Sequence, residues 1–65
     1  MLDVAAALER LAREDPSSAE VARLRLFAGL SIDEAAEAMG VARATAFREW
    51  AYARSWLATT LNSTR

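Results

Sequence analysis

The net positive charge of this 65-residue chain lies at one end. Residues 41–65 carry Arg43, Arg48, Arg54 and Arg65 against the single acid Glu49, a balance of +3. Residues 1–40 carry eight acids against four arginines, a balance of -4, so the overall net charge of -1 hides two oppositely charged parts. Guanidinium groups clustered on one segment supply a local positive potential of the kind that meets phosphates, although four arginines can also be a solvated face. Other chemistry has little to work with. There is no histidine and no cysteine, so disulfides are excluded and the usual zinc sites are not available. The carboxylates are scattered over helix surfaces rather than paired, so no acid–base or metal constellation assembles and no enzyme is expected. The chemistry on offer is binding, with no cofactor.

The elements that would position these arginines are punctuated clearly. Ser31 can cap a helix through its hydroxyl while Glu34, three residues on, reaches back to the cap amide, and Leu30 and Ala35 stand where a hydrophobic staple would. A helix is therefore predicted from about Ile32. It must stop near Met39, because Gly40 accepts the left-handed backbone of a helix end without a Cβ clash. A new helix then runs from about Arg43. Two short amphipathic segments hinged at Met39-Gly40-Val41 read as a helix-turn-helix over residues 31–50, which points to DNA. Ala36 is small enough to let the two helices cross closely, and Met39, Val41 and Ala46 would fill the angle between them. The same spacing also fits an ordinary helical hairpin with a glycine turn.

The rest of the chain reads as support for this unit. Leu2, Val4, Leu8 and Leu11 recur at helical spacing, with Glu9/Arg13 and Arg10/Glu14 as i,i+4 pairs, predicting a first helix over 2–14. Asp15-Pro16-Ser17-Ser18 breaks it, with Asp15 or Ser17 as a cap. Val21, Leu24, Phe27 and Ala28 then predict a second helix over 17–28, ending at Gly29. In the last helix, 43–61, Ala46, Trp50, Ala53, Leu57 and Leu61 step along one face, with Trp56 beside it, so both tryptophans are expected in the core. The prediction is a small all-α four-helix domain with a C-terminal helix-turn-helix and no wing, burying only ~60% of its unfolded surface. No apolar run approaches the ~20 residues of a membrane span and the N-terminus lacks the order of a signal peptide, so a cytoplasmic location is expected.

The run Val21-Ala22-Arg23-Leu24-Arg25-Leu26-Phe27-Ala28-Gly29-Leu30-Ser31, followed by Glu34-Ala35-Ala36 and Met39-Gly40-Val41 and closing with Ala44-Thr45, Arg48-Glu49-Trp50, Ala53-Arg54 and Trp56-Leu57, resembles region 4 of bacterial sigma factors of the extracytoplasmic-function (ECF) type. The likeness covers nearly the whole chain. It implies recognition of the promoter minus-35 element through the major groove and docking on the flap of the RNA polymerase β subunit, with an anti-sigma factor as a further candidate partner. Region 2 of such factors is not in this sequence, which reads either as an excised domain or as a standalone relative.

By position, the resemblance puts the base-reading face at Arg43, Ala44, Phe47 and Arg48. The arginines suit that role, because a guanidinium fork binds guanine O6 and N7 together, whereas Ala44 and the methyl of Thr45 can touch only a thymine methyl or a phosphate. Ser31 and the amides opening both helices can donate to phosphates. Arg54 and Tyr52 lie past the groove-entering turn, where phosphate contact and solvation are both open. The chain departs from the family pattern at Ala42, where a capping serine or threonine is common, and at Phe47, where a basic residue is common. Phe47 can face a thymine methyl or sugar, or it can be core. Leu26, off the apolar stripe, is expected at the surface and available to a partner. Two alternatives stay open: a polymerase- or anti-sigma-binding module with weak or no DNA binding, and a response-regulator-type helix-turn-helix, which would usually dimerise.

Overall fold

The computed structural model describes residues 3–62 and shows four helices, α1 (Val4–Glu14), α2 (Pro16–Leu26), α3 (Ile32–Met39) and α4 (Arg43–Asn62). No strand or wing occurs among the described residues. Leu2 and Arg65, both used in the sequence reading, lie outside them.

Each helix boundary has a local cause. The Asp3 carboxylate accepts from the Ala6 amide at 2.8 Å and opens α1. Asp15 ends α1 and begins α2, donating its amide to the Leu11 carbonyl while its carboxylate accepts from the Ser18 amide at 3.2 Å. Pro16 then occupies the first helical position, where a missing N–H costs nothing. The helix thus starts one residue earlier than the sequence suggested. At α3 the full capping box forms: the Ser31 hydroxyl accepts from the Glu34 amide at 3.1 Å and the Ser31 amide donates to the Glu34 carboxylate at 2.8 Å. Gly40 closes α3 at φ +71, with its amide on the Glu37 carbonyl and the Val41 amide on that of Ala36, the paired bonds of a left-handed helix stop.

The second helix ends earlier than its apolar spacing indicated, at Leu26 rather than Ala28. Gly29, at φ +72, reverses the chain, and the Leu30 amide returns to the Leu24 carbonyl at 3.0 Å. Phe27 and Ala28 are left in that turn, and Phe27 is 60% exposed instead of buried. Val4, expected on the core face, sits in the first turn of α1 and is likewise exposed, a turn ahead of the buried Ala7 and Leu8.

The core joins Ala7, Leu8 and Leu11 of α1 to Ala19 and Ala22 of α2 and Ala53 and Leu57 of α4. Seven of the eleven buried apolar residues are alanines, so the helices approach closely and little bulk is buried. Trp50 and Trp56 are partly buried against this cluster rather than within it. With Leu8 and Leu11 already filling the centre, the indoles cover its rim. Ala35 and Ala36, both buried, seat α3 on α2 and α4, the helices it packs against. α1 contacts α2 and α4 but not α3, so the 31–50 unit stands on one side of the bundle.

Candidate nucleic-acid interface

The α4 helix carries the arginines on one face. At about 100° per residue, Arg43, Ala44, Phe47, Arg48, Ala51, Arg54, Ser55 and Ala58 fall within a sector of roughly 140°. All eight are exposed. The buried residues Ala46, Ala53 and Leu57 lie opposite, which is why this face is free: the helix spends its other side on the core. Phe47, 54% exposed, belongs to the outward stripe. Thr45 is half-buried at the edge, with its neighbour Ala46 fully covered.

The two helix N-termini of the unit open side by side. Arg43, the first residue of α4, pairs through Nε with the Asp33 carboxylate in the first turn of α3 at 2.5 Å, and both side chains are largely exposed. Ala42, immediately before α4, has no side-chain oxygen with which to cap, and its carbonyl takes the Ala46 amide at 3.0 Å. The amides of the first turn of α4 therefore keep their donors, together with the positive end of the helix dipole. Ser31 differs in that its hydroxyl already accepts from Glu34, leaving its own proton as the one group it can offer a ligand. Arg48 and Arg54 are exposed farther along the stripe.

One feature of this geometry was not visible in the sequence. Arg25, near the end of α2, lays its guanidinium over the Trp50 ring at 5.0 Å and donates from Nη1 to the Leu30 carbonyl at 2.9 Å. A single side chain thus ties the α2 end, the turn before α3 and the middle of α4 together. The charge–ring contact adds about 0.5–2 kcal/mol. Beside Trp50 the outer face of α4 forms a shallow groove of about 410 Å³ lined by Phe47, Trp50, Ala51, Arg54, Ser55 and Ala58. Leu26 and Phe27, 47% and 60% exposed, make an apolar patch at the end of α2.

Among the described residues no group of three histidines, cysteines or acids could hold a metal ion, and no helix is long and apolar enough to cross a membrane. The family model for ECF sigma factors matches residues 1–63. The chain belongs to the ECF sigma factor family. Neither a curated protein nor a solved structure matches it significantly. ECF sigma factors are transcription initiation factors that bring RNA polymerase to promoter DNA, which makes polymerase and promoter the partners of the chain at that level. The all-helical architecture fits region 4 of that family, and the helix-turn-helix reading fits its DNA-binding role.

Proposed function

We propose that this ECF sigma chain, a single region 4-like domain over residues 1–65, recognises the minus-35 promoter element by laying the first two turns of α4 in the major groove. The observation that carries this reading is the exposed stripe opening at Arg43, which begins at an uncapped helix N-terminus and joins base-edge donors to phosphate-binding amides on one surface. Arg43 and Arg48 read base edges, Phe47 and Ala44 meet thymine methyls or sugars, and Thr45, Ser31 and Arg54 contact the backbone. Leu26 and Phe27, apolar and uncovered, are offered to the β flap of RNA polymerase.

Selection of bound duplexes from a random pool, followed by titration of the best one with salt, tests this. With Arg54 and two helix N-termini meeting phosphates and Arg48 adding its charge from the groove, a shallow log–log salt slope of roughly -2 to -4 is expected, and weak binding by the isolated chain. No enrichment of any sequence, with binding to core polymerase intact, would favour the second reading. In that reading the chain is a docking module for polymerase or an anti-sigma factor, supported by the acidic balance of residues 1–40 and the exposed Leu26–Phe27 patch.

A further inference from the structure

The Asp33–Arg43 pair places a carboxylate at the mouth of a surface that must accept a polyanion. We infer that Asp33 is a positioning residue for specificity, aiming Arg43 at base edges while withholding its charge from phosphates. This rests on the DNA-binding reading above. The geometry supplies the reason. Asp33 engages Arg43 through Nε, the inner nitrogen of the guanidinium. That leaves Nη1 and Nη2, the outer edge of the fork, without a partner among the described residues, and that edge can bridge guanine O6 and N7. The ion pair keeps the Arg43 guanidinium beside the start of α3, which narrows the directions the fork takes relative to those of a solvated arginine on the same turn. The carboxylate also neutralises Arg43 at long range, so the pair adds almost nothing to sequence-independent attraction.

The pair is exposed on both sides, and an exposed ion pair is weak in free protein. Its contribution is therefore to selectivity and not to the stability of the fold, and the two are separable by experiment. Asp33→Asn in the 65-residue chain removes the negative charge and loosens the fork. Affinity for a scrambled duplex should rise, and the salt slope should steepen by about 0.9 as Arg43 is released to a phosphate. Discrimination at one base pair of the selected site should fall, within the roughly 5- to 150-fold that a bidentate contact supplies. Asp33→Glu, which keeps the charge, should restore part of the discrimination. Arg43→Gln should abolish selection at that same base pair with little change in slope in the parent, yet flatten the slope by about 0.9 in the Asp33→Asn background. Thermal melting of each variant, followed by circular dichroism, should stay within a few degrees of the parent.

Tighter binding by Asp33→Asn to all duplexes with discrimination unchanged would overturn the inference, because Asp33 would then be only a nearby charge. Unchanged affinity and discrimination would overturn it too, reducing the pair to a solvated contact. Both results leave the DNA reading standing. If the parent chain enriches no duplex at low salt, the DNA reading itself fails, and the role of Asp33 fails with it.

Discussion

Arg48 and Arg54 sit on the same exposed face of α4, and replacing each by alanine removes one charge from one helix. A purely electrostatic account predicts equal effects. The geometry predicts unequal ones, because six residues of helix carry Arg54 about 9 Å farther along the axis than Arg48. With the N-terminal turns of α4 in a major groove about 12 Å wide, Arg48 reaches base edges and Arg54 is left at the phosphate wall. Ala42, Ala44 and Ala46 offer no side-chain hydrogen bond, so besides Arg43 only Arg48 can make a bidentate guanine contact in these turns. Arg48→Ala should then cost ~1–3 kcal/mol on the selected site and relax selection at one or two base pairs. Arg54→Ala should weaken all sequences alike and flatten the salt slope by about 0.9. The assay is fluorescence anisotropy over a salt series, with the selected duplex and single-base variants of it. Equal, sequence-independent losses for the two variants would refute the groove placement and favour the docking-module reading.

Leu11 is fully buried between α1, α2 and α4, so Leu11→Ala should cost about 2–5 kcal/mol and leave so small a domain largely unfolded by circular dichroism at 37 °C. Ser18 is 0% exposed and its hydroxyl has no hydrogen-bond partner, so Ser18→Ala should be neutral or raise the melting temperature, since it removes an unpaid desolvation cost. Gly40→Ala meets open space but must hold φ +71, and should destabilise by about 1–2 kcal/mol in denaturant melts, with Gly40→Asn costing less. Phe47→Ala should change the melting temperature by little, the ring being more than half exposed, while lowering affinity for the selected duplex.

What the sequence made legible is what depends on neighbours three or four residues apart. The Ser31–Glu34 capping box, the stop at Gly40 and the punctuation at Pro16 are local devices, and each appears where its residue types placed it. Outward placement of Phe47 was one of two readings, and the burial of Ala46 and Ala53 on the opposite face decides it. The failures share another cause. Phe27 has the spacing of a core residue, but whether it is buried depends on how the Gly29 turn hands the chain to α3, which no periodicity encodes. The contacts Asp33–Arg43 and Arg25–Trp50 join residues ten and twenty-five apart, across turns whose crossing angles set the register. Trp50 looked like core because a large aromatic on an apolar stripe usually is. Here Leu8, Leu11 and Leu57 with four alanines already make up the cluster, and the indole packs at its rim, where Arg25 covers it.

The division of charge gives the proposed reading its economy. The acids Asp3, Glu9 and Glu14 belong to α1 and the turn before it, and α1 packs on α2 and α4 while making no contact with α3. They therefore lie behind the surface on which the two helix N-termini open. The acids of α1 are thereby kept from that surface while Asp33, Glu34 and Glu37 remain beside it on α3, so the chain has no strong overall attraction for a polyanion, and pairing Arg43 with Asp33 reduces the non-specific share further. On the proposed reading, a domain arranged in this way binds poorly when free and selects well when held nearby. Family membership supplies the means of holding, because a factor that binds RNA polymerase arrives at the promoter already tethered, and tethering raises the effective concentration of a weak reader without any new DNA contact. An exposed Leu26–Phe27 patch and a sparse set of arginines are then two halves of one arrangement. On the proposed reading the polymerase supplies affinity, and the few guanidinium groups of α4 supply discrimination.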